Sequence, residues 1–83
     1  MIFEEWYEEN VDSIYKYIVF IVKDASLAED LTQETFLKAY LKQHQFKGNS
    51  EIKTWLYRIA YSTTMNHFRK KHPIPTLFNF VIP

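Results

Sequence analysis

Residues 27–40 read Leu27-Ala28-Glu29-Asp30-Leu31-Thr32-Gln33-Glu34-Thr35-Phe36-Leu37-Lys38-Ala39-Tyr40, and the spacing of their apolar members decides the fold. Leu27, Leu31 and Phe36 recur at helical intervals with Ala28, Ala39 and Tyr40. That rhythm predicts an amphipathic helix with this set turned inward. Ser26 stands one residue ahead as an N-cap, and Glu29 three residues on completes a capping box. The helix is therefore predicted over about residues 27–43. Glu29, Asp30 and Glu34 crowd its first half, and Lys38 and Lys42 follow near the other end, which matches the helix dipole at both ends.

Working upstream, Phe3, Trp6, Tyr7, Val11, Ile14, Tyr15, Ile18, Ile21 and Val22 keep the same rhythm and predict a helix over residues 3–22. Asn10 to Ser13 is a place where it can bend. The run Ile18-Val19-Phe20-Ile21-Val22 has strand propensity, but it continues the helical stripe and has no partner strand. Lys23 to Ser26 is a short connection. Working downstream, residues 44–50 form a polar loop holding Phe46 and Gly48, and Ser50 can cap a third helix over residues 51–71. Its stripe is Ile52, Trp55, Leu56, Ile59, Ala60, Thr63 and Phe68. Arg69-Lys70-Lys71-His72 ends it with positive charge and Pro73 stops it. No proline precedes Pro73, which permits helices of this length. The fold class is all-α: a small bundle of three to four helices over residues 1–72, with no sheet. Residues 73–83 are apolar and aperiodic, and read as an extended tail that starts a linker.

Length and composition exclude several classes of function. Eighty-three residues support one domain. A chain this short buries only about 60–65% of the surface its unfolded form exposes, so its core must be efficient. Fifteen aromatic residues supply large apolar areas for that purpose. There is no Cys, hence no disulfide and no thiolate metal site. His44, His67 and His72 show no ligand spacing, so no metal and no cofactor is expected. The acidic start (Glu4, Glu5, Glu8, Glu9) is the opposite of a signal peptide, and the longest apolar run has five residues where a bilayer needs about 20. A soluble, cytoplasmic protein is expected, with no membrane insertion. Gly-rich phosphate loops, Cys nucleophiles and His–Glu zinc patterns are absent. Asp30 and Glu34 form a carboxylate pair, but acid–base work needs a dry cleft, which a bundle of this size has little room to build. Neither an enzyme nor a small-molecule substrate is expected.

The net charge of zero conceals a division. Residues 1–34 carry a net of −7 and residues 35–83 a net of +7. The basic half suits phosphate, and the acidic half suits a basic protein surface; a solvated surface with random charge placement is the plainer alternative. Asp30, Gln33, Glu34 and Leu37 fall at i, i+3, i+4 and i+7, on one helix face. That face is either an ordinary solvated one or a docking surface for a basic partner helix. In the third helix, Trp55 lies on the apolar stripe and reads as core. Tyr57 and Tyr61 lie off it and read as exposed rings able to stack on bases. Phe46 fits either role.

The stretch from Leu27 to Tyr40 resembles the "AEDLxQETFxxAY" signature of extracytoplasmic-function (ECF) sigma factors, and Ile21-Val22-Lys23-Asp24 ahead of it also fits. A second block, Phe46-Lys47-Gly48-Asn49-Ser50 through Lys53-Thr54-Trp55-Leu56-Tyr57-Arg58-Ile59-Ala60, is similar to that family's "FxGxSxFxTWLYRIA". Arg69-Lys70-Lys71 matches as well. The resemblance covers about residues 10–72, with two blocks in the right order and spacing.

It implies that Asp30, Gln33, Glu34 and Leu37 dock on the coiled coil of the largest subunit of core RNA polymerase. It implies that Lys47, Asn49, Ser50, Lys53, Tyr57, Arg58, Tyr61, Arg69, Lys70 and Lys71 meet promoter DNA, chiefly the single-stranded non-template strand of the minus-ten element. The loop of residues 44–50 would capture a flipped base, with Gly48, Asn49 and Ser50 suiting a polar pocket; Gly48 can equally serve only as a turn residue. An anti-sigma protein is a further partner the resemblance implies. The expected function is that of a sigma-factor domain which docks on polymerase and melts the promoter. The alternatives are a sigma-like module that binds polymerase or an anti-sigma factor without melting DNA, and a generic duplex-binding helical domain. The family often reads "RIAxNxxxDxxR" in the third helix. Here Ser62 and Asn66 stand where Asn and Asp are common, which bears on fine promoter specificity. The minus-thirty-five-reading domain that such factors carry C-terminally is absent from this sequence.

Overall fold

A computed structural model describes residues 3–46, Gly48 and residues 51–71, with Lys71 in its backbone alone. Three α-helices, α1 (Phe3–Val22), α2 (Ala25–Leu41) and α3 (Ile52–Lys71), form an all-α bundle in which every pair of helices touches; a short 3₁₀ turn, Gln43–Gln45, follows α2. Among the described residues there is no strand, and no helix is long and apolar enough to cross a membrane.

The helix α1 runs unbroken through Asn10–Ser13, where a bend was the alternative. It buries Trp6, Asn10, Ile14 and Ile18, a row at a spacing of four. Asn10 sits inside that row with its Nδ2 donating to the Trp6 carbonyl at 2.9 Å, which gives the buried amide a partner. From α2, Ala28, Leu31, Thr32, Thr35, Phe36 and Ala39 are buried, and Leu56, Ala60, Thr63 and Thr64 from α3. Three of the threonines enter the core by turning their hydroxyls onto their own helix: Thr32 donates to the Ala28 carbonyl and Thr35 to that of Leu31, each at 2.7 Å, and Thr64 to that of Ala60 at 2.8 Å. With their hydroxyls satisfied, these side chains pack as small apolar groups. Together with Ala28, Ala39 and Ala60 they let the helix axes approach closely.

One end of the bundle is closed by rings. Trp6 packs edge-on against Phe46 at 5.7 Å and Trp55 at 5.9 Å, and Phe46 meets Trp55 at 5.5 Å. This triangle ties the start of α1 to the residue after the 3₁₀ turn and to the first turn of α3. Phe46 is thereby a packing residue, and Trp55 lies against the core as its stripe predicts. Tyr40, expected inside, is 53% exposed and only flanks Phe3 at 5.4 Å.

The connection between α1 and α2 differs from the sequence expectation. Lys23 takes the left-handed conformation (φ 59°) and its amide donates to the Val19 carbonyl at 2.8 Å, closing α1. Asp24 then enters extended backbone and accepts from the Leu27 amide at 3.0 Å. Asp24 is the N-cap in place of Ser26, and α2 starts at Ala25, two residues earlier than the capping-box pattern indicates. Ser50, expected to cap α3, and the tail of residues 73–83 lie outside the described residues.

The caps give a direct stability test. Asp24→Ala should destabilise the domain by about 1 kcal/mol, a fall in Tm of roughly 4–8 °C for a domain this small. Ser26→Ala, which removes no cap, should leave Tm within experimental scatter. Equal losses from the two variants would restore the capping-box assignment.

Candidate functional site

The inward set on α2 dictates what its other side presents. With roughly 100° per residue, Asp30, Gln33, Glu34 and Leu37 fall opposite the buried strip centred on Ala28, Thr35 and Ala39, and all four are exposed. Leu37, 58% exposed, is an apolar spot set among two carboxylates and an amide. The face continues onto α1. A groove of about 510 Å³ runs between the two helices, floored by Phe36, Tyr7 and Phe3, with Gln33, Leu37 and Tyr40 on one wall and Glu4 and Glu8 on the other. Gln33 spans it, its Nε2 donating to the Tyr7 hydroxyl at 3.4 Å. Periodicity alone puts Phe3 and Tyr7 on the inward stripe; the chemical signal for this extension is the pair Glu4 and Glu8, one turn apart and level with Tyr7. The acidic face thus continues into a groove with an apolar floor and a negative rim on α1.

The basic residues of α3 are less uniformly placed. Arg58 and Arg69 are eleven residues apart, about three turns, and share one exposed side of the helix. Lys53 and Lys70 are also exposed but point to either side of that line. The Arg69 guanidinium donates to the Asn66 side-chain oxygen, so the amide at position 66 orients the arginine without cancelling its charge. Lys47, Asn49 and Ser50, and the Lys71 side chain, lie outside the described residues.

The two tyrosines separate. Tyr61 is 54% exposed, as expected. Tyr57, expected to be exposed, is half-buried: its ring lies edge-on to Tyr17 at 4.9 Å and its hydroxyl donates to the Ser13 carbonyl at 3.3 Å. The aromatic surface of α1 accounts for the difference, because the stripe of α3 is wider than the residues that meet α2 alone. Tyr57 therefore joins α3 to α1, with its ring partly covered by Tyr17.

An acidic helical groove lies on one side of this small helical module and exposed arginines lie on another. The model of the sigma-70 region 2 family matches residues 6–73. The chain belongs to that family, on its extracytoplasmic-function branch. It is 36% identical over 70 residues to the ECF RNA polymerase sigma factor SigM of Bacillus subtilis, covering 84% of this chain and 42% of that protein. Against SigX of the same organism it is 35% identical over 72 residues, covering 87% and 37%. Against the RNA polymerase sigma-H factor of Pseudomonas aeruginosa it is 52% identical over 50 residues, covering 60% and 26%. The chain spans less than half the length of each of these curated relatives.

Tyr57 and Tyr61 should respond differently to substitution. Tyr57→Phe removes a part-buried hydrogen bond and should cost about 1 kcal/mol of stability with oligonucleotide affinity unchanged. Tyr61→Ala should leave thermal stability near that of the parent chain and weaken single-strand binding, since one stacked base is worth about 1–3 kcal/mol. Thermal melts and fluorescence anisotropy on the two variants check this; a binding loss from Tyr57→Phe would place that hydroxyl in the interface.

Proposed function

We propose that this chain acts as a sigma-factor domain: it docks on core RNA polymerase through α2 and engages the promoter minus-ten element through α3, giving the polymerase its choice of start site. The observation that carries the reading is the arrangement of Asp30, Gln33, Glu34 and Leu37, which stand exposed on α2 directly opposite its buried strip. A face of two carboxylates, an amide and one exposed leucine suits a basic partner helix with an apolar contact point, and the coiled coil of the polymerase's largest subunit is the partner that family membership suggests. The groove between α1 and α2 enlarges that surface.

In this reading the domain performs no chemistry. It binds single-stranded non-template DNA with Arg58, Tyr61, Arg69 and Lys70, assisted by Lys47, Asn49, Ser50, Lys53 and Lys71. Arginine and lysine neutralise phosphates, and Tyr61 gives an unpaired base a ring to stack on. The site of action is the cytoplasm, where the polymerase is. An anti-sigma protein that covers the acidic face would compete with polymerase for the same side chains.

The docking assignment is tested by reversing charge. Asp30→Lys with Glu34→Lys should abolish capture of core polymerase in a pull-down while circular dichroism and Tm stay close to those of the parent, because both side chains are exposed. Capture at parental level would remove α2 as the docking element. On the DNA side, Arg69→Ala with Lys70→Ala should weaken binding to a minus-ten oligonucleotide and lower the salt slope by about 0.7 for each phosphate no longer neutralised; an unchanged slope would take these residues out of the interface.

A further inference from the structure

The outer side of α2 carries a charge pattern that its inward strip does not explain. Asp30, Glu34, Lys38 and Lys42 follow one another at intervals of four residues, so they form one i, i+4 ridge along the helix. Two negative charges are followed by two positive ones, and the signs invert about position 36: Glu34 and Lys38 stand two residues to either side of it, Asp30 and Lys42 six. The helix dipole accounts for acids early and bases late, but not for all four on a single ridge. Asp30, Glu34 and Lys42 are exposed and Lys38 is half-buried. Glu34 and Lys38 pair at 3.3 Å. Among the described residues, Asp30 has no cation and Lys42 no carboxylate within ion-pair distance. A second ridge, Gln33, Leu37 and Leu41, runs alongside on the α1 flank, where Gln33 reaches Tyr7. Leu37, Tyr40 and Leu41 are each more than half exposed, and they adjoin one another at i, i+3 and i+4. This apolar patch extends past the four residues of the docking face.

We propose that the outer side of α2 is a self-docking surface, on which a second copy of this chain packs with its own α2 antiparallel, about a two-fold axis near position 36. A ridge whose signs invert about its midpoint is complementary to itself when turned end for end. Asp30 and Glu34 of one copy then lie along Lys42 and Lys38 of the other, and the two-fold repeats both contacts. The packing this requires is the commonest between helices: the i±4 ridges of both interdigitate at an interaxial angle of about 50°. The same operation brings Leu37 and Leu41 against their counterparts, which removes the patch from water. Lys38 keeps its bond to Thr63 and has three donors, so it can hold the Glu34 of either copy. A parallel arrangement sets like charges opposite one another. A uniformly basic helix satisfies the first half of the ridge and repels the second; a copy of the same ridge satisfies both. The pairing itself goes beyond the proposed function, and its consequence rests on that reading. The two copies cover Asp30, Glu34 and Leu37, so self-association and docking on polymerase exclude one another.

Sedimentation equilibrium tests the pairing on the 83-residue chain alone. At about 0.01 M salt the mass should rise with protein concentration from 10.1 kDa toward twice that value. At about 1 M salt, where the Debye length is about 3 Å, association should weaken several-fold and persist in part through the leucines. Asp30→Lys with Glu34→Lys makes a ridge of four cations and should stay monomeric. Lys38→Glu with Lys42→Glu makes a ridge of four anions and should do the same. Mixed in equal amounts, the two variants should pair with each other. All four substitutions together restore a ridge that inverts about its midpoint, so this variant should pair as the parent does while losing capture of core polymerase. The natural chain has no Cys. Leu37→Cys therefore sets a single thiol near the axis of an otherwise unchanged chain, and it should cross-link under mild oxidation far faster than Lys16→Cys on α1. A parent chain that stays at 10.1 kDa into the millimolar range at low salt overturns the proposal and leaves the docking reading standing. So does a fourfold variant that is folded by circular dichroism yet monomeric, or equal cross-linking from Leu37→Cys and Lys16→Cys. A fourfold variant that pairs and still captures polymerase keeps the dimer and removes the docking reading.

Discussion

The strip of Ala28, Leu31, Thr32, Thr35, Phe36 and Ala39 along α2 is the constraint on which the rest of the bundle depends, because α2 packs against both other helices along it. Four of its six members are alanine or threonine. Their small volume lets the helices sit close, and their hydroxyls stay satisfied within the helix. A larger side chain at Ala28 or Ala39, both fully buried, would have to push an axis outward, and overpacking a well-filled core typically costs about 1–3 kcal/mol. Once that strip is fixed, helical geometry leaves Asp30, Gln33, Glu34 and Leu37 nowhere to go but outward. The outward placement of the acidic face is thus a consequence of the packing, while its chemistry is not fixed by the core.

The same geometry keeps the charges of opposite sign apart. Acidic residues crowd α1 and the first half of α2, and cations occupy the end of α2 and α3. Because α2 lies between its neighbours, its α1-facing flank inherits Glu4 and Glu8 and its α3-facing flank faces Arg58. A chain with no net charge therefore presents two surfaces of opposite potential, which steer different partners to different sides. The aromatic triangle of Trp6, Phe46 and Trp55 pins the end of the bundle where the chain leaves the acidic helix and enters the basic one.

Much of this was readable in the residues. The spans of α1 and of α3 within the described residues follow from periodicity, and the outward set on α2 follows from the spacing of its apolar residues. What the pattern could not carry has identifiable physical causes. Thr63 falls on the stripe of α3, but the inward places of Thr32, Thr35 and Thr64 become plain only from their bonds to carbonyls one turn back. The early start of α2 depends on Lys23 adopting a left-handed conformation that lysine rarely takes, which leaves Asp24 in reach of the Leu27 amide. Tyr57 sits off the stripe that meets α2, and only the position of α1 shows that a second helix covers it. The cations on the α3-facing flank of α2 come from two separate helices, and no local motif joins Lys42 to Arg58.

Lys38 stands where the acidic and basic surfaces meet, and it contacts both. It is within ion-pair distance of Glu34 on the acidic face and hydrogen-bonded to Thr63 on α3. An ion pair this open to solvent contributes on the order of 0–1 kcal/mol, less than a neighbouring basic helix or a phosphate group can offer in a desolvated contact. Thr63 is buried and fixed, so Lys38 keeps an anchor on the α3 side when Glu34 turns to another partner. Lys38 thus ties the exposed side of α2 to α3 across the boundary between the acidic and basic surfaces.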